Sequence, residues 1–319
     1  SRISQRSFWY QVPDHVNKIS EEQLNHWREL STPCDAHFKK NKALSLPEAN
    51  PYINGNPHVY DNINNSILPI KIEDISGLTA WYSQDTTFKV PKGYIYLGID
   101  CPYSIESIET IAMTRLFVDV FSNTVIEENY DAELAGMQYH LYAHQGGITL
   151  QLSGISENQP RLLEKLLYRL THHNTSEKDF ILFKRQLIKH WQNGDKNKSI
   201  SQLFSTLSSL MQPNNPNADE LSEALCRISF AQYQSFCQKL FEKITLEVLI
   251  HGNWLLEHAT NIVSNIKMAF SNKYDKSHSV QCPVVDITNK STLMLPMHIP
   301  DHDHASVVYF PLPTRDEKL

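Results

Sequence analysis

The run Gly147 to Ile155 sets Ile148, Leu150 and Leu152 against Thr149, Gln151 and Ser153 in strict alternation. Successive side chains of a strand point to opposite faces, so this run demands a sheet with one buried face and one polar face. It pairs with Met137 to His144 as a hairpin joined at Gln145-Gly146-Gly147, where glycine can supply the positive φ of a tight turn.

Two further runs, Leu78 to Ser83 and Tyr94 to Cys101, are rich in β-branched and aromatic residues and flank a Pro91-Lys92-Gly93 turn. They are expected to pair antiparallel. Ile105, Ile108, Ile111, Ala112, Leu116 and Val120 then recur every three or four residues, which predicts a helix over 105–121 packed on the sheet. Helical periodicity returns from Gln159 to about Leu240, in Leu162, Leu163, Leu166, Leu167 and Leu170 and again in Phe180, Phe183 and Leu187. Breaks are expected at His172 to Thr175 and at Pro213 to Pro216. A strand from Leu246 to His251 and a helix from Trp254 to Phe270 follow. Strands in short local runs with helices clustered between them predict an α/β fold of the α+β type, a mixed and largely antiparallel sheet with helices on one face.

The chain before about Asn65 reads differently. Ser20 followed by Gln23 has the spacing of a capping box and predicts a helix over 20–30. Pro47 and Pro51 hold the segment Leu46 to Ile53 extended, along a surface rather than in a core. Near the other end, Ser306 to Phe310 reads as an isolated strand. A start without Met and a close soon after that strand predict a piece cut from a longer polypeptide.

Apolar residues make up 41% of the 319 and charged residues 20%, so the chain is expected to fold. The net charge of -6, with Lys and Arg scattered, argues against a nucleic-acid partner. No apolar run is long enough to span a membrane. The five cysteines, Cys34, Cys101, Cys226, Cys237 and Cys282, include no C-x-x-C pair and are read mostly as buried thiols.

In this order, four stretches resemble the central part of the pitrilysin/insulysin (protease III) family of zinc metalloendopeptidases. They are Leu46 to Ile53, Tyr130 to Tyr139, Leu152 to Ile155 with Gln159 to Leu163, and Glu247 to Asn253. Each is weakly specific alone, and their collinear order carries the resemblance. It implies four homologous domains in tandem, closing as two halves around a peptide. Residues 1–65 then correspond to the tail of a preceding domain and an inter-half linker. Residues 66–285 correspond to a complete third domain, and 286–319 to a connector and the first strand of a fourth. It also implies zinc in the full-length parent, the other domains of the same polypeptide as partners, and a peptide substrate. A periplasmic location follows only if the parent is bacterial.

The family's catalytic signature is H-x-x-E-H on a first-domain helix, two imidazoles for zinc and a glutamate as general base. This chain lacks it. Its one Glu-His pair, Glu257-His258, has Trp254 where a histidine would stand, and the helix over 105–121 has no histidine. No catalytic, cofactor-binding or metal residue is therefore expected. Three further histidine sites have plain structural readings beside a functional one. His298, His302 and His304, with Asp301 and Asp303, could gather around a cation but read as a polar connector. His140 and His144 share a strand face as half-exposed residues, and His172-His173 reads as a solvated turn. Asp131 and Glu133 fall on different faces of a short turn and make no acid/base pair. No G-x-S-x-G, phosphate-loop or dinucleotide motif occurs. The expected function is a non-catalytic wall segment of a peptide-degrading chamber, inactive by itself; the alternative is a piece of an inactive family member acting as a scaffold.

Overall fold

The computed structural model describes residues 5–31, 48–53, 55, 57–61, 68–271, 273–275, 277, 279–287, 294–297 and 304–310. The chain divides into two units, Ser1–Ala49 and Asn50–Leu319. The first holds a two-stranded hairpin, β1 (Gln5–Arg6) with β2 (Pro13–Asp14), and helix α1 (Glu21–Ser31). The Ser20 hydroxyl accepts from the Gln23 N–H at 3.2 Å, which starts α1 where the capping pattern places it.

The second unit is a six-stranded sheet in the order β3-β4-β8-β5-β7-β6. Its strands are β3 (Ile70–Ile75), β4 (Leu78–Gln84), β5 (Lys92–Asp100), β6 (Gln138–His144), β7 (Gly147–Ile155) and β8 (Thr245–Gly252). Only β4 and β8 run parallel. Between them the chain forms α2 (Ile108–Glu128), α3 (Tyr130–Leu134), α4 (Gln159–Thr171), α5 (Glu177–Gln192), α6 (Ser199–Met211), α7 (Ala218–Arg227) and α8 (Phe230–Lys239), and after β8 comes α9 (Leu256–Ala269). Reciprocal capping boxes start three of them: Ser107 with Thr110, Asn217 with Glu220 and Ser229 with Gln232. None of the described helices is long and apolar enough to cross a membrane.

One face of the sheet is buried. Ile95, Leu97 and Ile99 of β5, Ile148, Leu150 and Leu152 of β7 and Leu246, Val248 and Ile250 of β8 are fully or almost fully covered. Leu116, Phe117, Val120 and Phe121 of α2, Leu162 and Leu166 of α4, and Ile262 and Ile266 of α9 belong to the same core. The mixed sheet with helices on one face is the architecture that the order of patterns predicts.

Several local expectations are corrected. β4 and β5 are not partners, because β8 lies between them, parallel to β4 and antiparallel to β5. Both are interior strands needing neighbours on two sides, and β8 arrives from far along the chain. The antiparallel partner of β4 is β3, a strand absent from the sequence reading. The first long helix begins at Ile108, after a 3-10 turn over Pro102–Ile105, and runs on to Glu128. The helical stretch after Gln159 also breaks at 193–198 and at 228–229. The glycines of the β6–β7 turn are not at positive φ. Gly147 is needed instead for close approach: a Cβ there would stand 2.1 Å from the Ile99 carbonyl oxygen. Of the cysteines described, Cys101 is buried, Cys237 is half-buried, and Cys226 and Cys282 are exposed, since they fall on an outward helix turn and an irregular segment. Residues 304–310 form no strand, because a strand exists only by pairing and they have no ladder partner among the described residues.

The approach segment is not confined to a surface. Tyr52 is 1% exposed and belongs to the core, and its carbonyl accepts from Asn158 Nδ2 at 2.7 Å. Asn253 ties down the residues that follow. Its Oδ1 accepts from the Tyr60 N–H at 2.9 Å, and its Nδ2 donates to the His58 carbonyl at 2.8 Å and to Ser156 Oγ at 3.0 Å. The chain reaches this corner through Gly252 at φ 116°, where a Cβ would stand 2.6 Å from the Lys92 carbonyl oxygen. Asn253→Ala removes three bonds at a buried position and is expected to cost about 2 kcal/mol. Urea unfolding measures it, with cleavage near residues 57–61 appearing first under limited proteolysis; an unchanged midpoint refutes the clamp.

Candidate functional site

On the other face of the sheet the side chains are half-buried or exposed, and no described helix packs across them. Along β5 the residues that alternate with the buried ones are Tyr94, Tyr96, Gly98 and Asp100. None of them is buried. Strand register assembles these positions into rows across the sheet. The central row reads Lys71, Trp81, Leu249, Tyr96, Gln151 and His140, one residue from each strand. Beside it runs Ser83, His251, Tyr94, Ser153 and Gln138, and on the other side Thr79, Glu247, Gly98, Thr149 and Tyr142. Six strands at about 4.8 Å spacing make a surface roughly 25 Å across.

Its chemistry mixes aromatic, amide and hydroxyl groups with the imidazoles of His140 and His251 and the charged Lys71, Glu247 and Asp100. The Lys71 ammonium lies 5.1 Å from the centre of the Trp81 ring and pairs with Asp74 at 2.9 Å. Tyr94 and His251 stack with centroids 6.2 Å apart. At one end of the face, His144 Nδ1 accepts from the Gly146 N–H at 3.1 Å, leaving Nε2 4.0 Å from Asp100 Oδ1. Burial pushes the Asp100 carboxyl above its ordinary range; His144 draws it partly back and Glu247 adds to the rise.

The histidines weighed in the sequence separate into different settings. His140 and His144 do share the open face, as the strand period predicts. His298 and His302, with Asp301 and Asp303, lie outside the described residues, and His304 is exposed. Glu257 is exposed, whereas His258 is half-buried: its Nδ1 accepts from the Leu255 N–H at 3.4 Å, and its ring lies 5.1 Å from Tyr60. His172 is exposed, but His173 is not a solvated turn residue. Its ring meets Phe117 edge-on at 4.7 Å and shares a 2.6 Å hydrogen bond with Thr175 Oγ1, because the turn folds back onto α2. Burial lowers its pKa to about 4. Asp131 and Glu133 sit on the short helix α3, a turn after α2, with Ala132 buried between them.

Burial pushes the Cys101 thiol well above its ordinary range and the Cys237 thiol up to about 12, so neither is poised as a thiolate. A 420 Å³ pocket on the helical side is lined in part by His173, Tyr233, Cys237, Phe270 and Lys273. Among the described residues, no three His, Cys, Asp or Glu side chains come together as a metal site requires. The open face can stack on, hydrogen-bond and orient an extended chain.

The family model described as the middle or third domain of peptidase M16 matches residues 2–224. The chain belongs to the peptidase M16 family. Its M16 relatives include the insulin-degrading enzyme of Homo sapiens, 24% identical over 260 residues, a match covering 81% of this chain and 25% of that protein. The A-factor-processing enzyme of Saccharomyces cerevisiae is 27% identical over 236 residues, covering 73% of this chain and 23% of that protein. The crystal structure of pitrilysin superposes with a TM-score of 0.69 at 21% identity, over 85% of this chain and 28% of that one, which shows a shared fold. The chain thus spans about a quarter of the length of the M16 relatives it matches. This pitrilysin/insulysin group is a zinc metallopeptidase family, but the described residues do not fit the metal. α2 carries no histidine, and its carboxylates Glu109, Asp119, Glu127 and Glu128 join no group of three ligand side chains among the described residues.

The row Trp81, Leu249, Tyr96 and Gln151 was not singled out from sequence. The available signal was the aromatic half of the alternation in Tyr94 to Asp100, which points away from the core.

Proposed function

We propose that this chain is the non-catalytic middle part of a peptide-degrading M16 zinc metalloendopeptidase, and that its open sheet face forms part of the wall enclosing the substrate. On this reading residues 66–285 are the third domain, 1–65 lead into it from the preceding one, and 286–319 lead out. The observation that carries it is the aromatic row across an uncovered sheet in a chain that matches a quarter of its relatives. Zinc, held in a domain outside this chain, supplies the Lewis acid and the activated water. The part played by Trp81, Tyr96 and Gln151 is to hold an extended peptide by ring contact and amide hydrogen bonds while excluding bulk water.

The test is steady-state hydrolysis of a quenched peptide by the full-length gene product carrying Trp81→Ala and Tyr96→Ala together. Two lost ring contacts, each worth about 1 kcal/mol, predict a KM raised roughly thirtyfold with kcat within about twofold. An unchanged KM, or hydrolysis by purified 1–319 alone, overturns the reading. Peptide binding without turnover by the full-length product would support the scaffold alternative instead.

A further inference from the structure

The six-stranded sheet ends on two unlike edges. β3, at one of them, carries Lys71, Glu73 and Asp74, breaks register between Lys71 and Glu73, and sends Glu73 into an ion pair with Lys267 of α9 at 3.3 Å. Charge and a bulge are what keep a sheet edge from pairing further. β6, at the other edge, has neither. Its seven residues, QYHLYAH, hold no proline, lysine or carboxylate, and each keeps step with β7, from Gln138 opposite Ser153 to His144 opposite Gly147.

The turn fixes which backbone groups of β6 face outward. His144 and Gly147 close a two-residue loop, so their N–H and C=O groups turn toward each other, and along an antiparallel pair such positions alternate with outward ones. The Cys101 N–H donates to the Gly146 carbonyl at 2.8 Å, which turns Gly146 toward β5 and Gly147 toward β6, in the same phase. Bonding to β7 therefore falls to Gln138, His140, Tyr142 and His144. Tyr139, Leu141 and Ala143 direct their N–H and C=O groups away from the sheet. Among the described residues nothing bonds to these groups. One step earlier the edge is closed, where the Met137 N–H donates to the Ala132 carbonyl at 3.0 Å.

We infer that the edge of β6 takes an extended peptide as a seventh strand of the sheet. The inference deepens the reading of this chain as a chamber wall and rests on it for the occupant being substrate. Only an extended backbone matches N–H and C=O groups that alternate along a strand about 23 Å long. That match is blind to side chains, which suits a grip on peptides of varied sequence. The side chains beside the edge narrow the class. Gln138, His140 and Tyr142 are exposed on the aromatic face, and His140 ends its central row, so an added strand continues that row. None of the three carries a carboxylate or an ammonium, and Tyr142 favours β-branched or aromatic residues opposite it. A second copy of the chain is the weaker occupant, because an edge strip on the order of 100 Å² falls far short of the roughly 800 Å² per partner of a stable dimer.

Hydrogen exchange of the purified 1–319 chain, read by mass spectrometry with and without a soluble decapeptide of alternating threonine and valine flanked by lysines, tests the edge. With the peptide at millimolar concentration, the amides of Tyr139, Leu141 and Ala143 are expected to exchange at least about fivefold more slowly, and those of β3 at an unchanged rate. Methylating the central amides of the peptide keeps its side chains and leaves the protein untouched, and should weaken binding at least about fivefold through lost main-chain bonds. Ala143→Pro, which deletes one outward N–H and no bond to β7, should weaken it by a similar factor. Unaltered exchange of β6 at millimolar peptide, or equal affinity for the methylated peptide, overturns the proposal. Slow exchange of these amides without peptide that deepens with protein concentration, with a dimer in sedimentation, assigns the edge to a second copy and also overturns it. The chamber wall fails separately: slowed β6 amides with an unchanged KM in the Trp81 and Tyr96 variant leave the edge without the wall, and a raised KM with unaltered β6 exchange leaves the wall without the edge.

Discussion

Phe117→Ala is expected to destabilise the second unit by about 4 kcal/mol, among the largest effects of any single substitution. Phe117 lies on α2 at 0% exposure. Its ring stacks on Phe121 at 6.2 Å, meets Phe241 edge-on at 5.9 Å and receives His173 edge-on at 4.7 Å. It thus joins one helix to the turn after α4 and to the end of α8, elements that share no local sequence. Truncation removes the transfer energy of a phenyl ring and leaves a cavity among three aromatic neighbours that are themselves fixed. The measurement is the urea midpoint of 1–319 by circular dichroism. Phe88→Ala, at a residue 78% exposed, serves as the control and should change stability by less than about 0.5 kcal/mol. A loss below about 1.5 kcal/mol at Phe117 would show that the three rings close over the gap.

The neighbouring His173 should make the protein acid-sensitive in a defined window. Burial holds its folded-state pKa at about 4, against an ordinary value near 6.5 in an unfolded chain. Between those values the unfolded state binds a proton that the folded state refuses, so stability rises with pH there. The contribution is fully present above pH 6.5, declines as pH falls, and levels off below about pH 4. For a ring that keeps some solvent contact, the total is about 2 to 3 kcal/mol. Burial raises the carboxyls of Asp100 and Asp119, and raised carboxyls titrate with the opposite sign, so the decisive quantity is a difference. His173→Gln should flatten the stability profile between pH 6.5 and 4 relative to the parent chain, measured by urea unfolding at half-unit steps. Parallel profiles would place His173 in solvent.

The same residue shows where reading a sequence stops. His172-His173 between two helices has the composition of a wet turn, and His172 is exposed as expected. His173 differs by one position, and its burial comes from Phe117 and Phe121, some fifty residues earlier in the chain. Tyr52 makes the same point. Pro47 and Pro51 point to an extended surface segment; Leu46 and Pro47 lie outside the described residues, Asn50 to Ile53 closes a turn with the Ile53 N–H donating to the Asn50 carbonyl at 3.2 Å, and the ring enters the core where Asn158 and Arg161 bind the Tyr52 and Pro51 carbonyls. The aromatic row of the open face is a third case. Trp81, Leu249 and Tyr96 become neighbours only through the insertion of β8 between β4 and β5.

What the sequence by itself determined was everything set by short-range periodicity and short-range chemistry. Alternation named the inward residues of β7, the three-to-four spacing named those of α4 and, in Ala112, Leu116 and Val120, part of those of α2, though Ile108 on the same spacing is exposed, and the Ser20 capping pattern placed the start of α1. The absence of H-x-x-E-H, and of any histidine on α2, was equally plain. The tertiary structure decided strand order, the path of the approach segment, and which polar side chains lose their water. Periodicity and capping act within about four residues, whereas pairing and burial are fixed by contacts between elements far apart in the chain, on which a local pattern is silent.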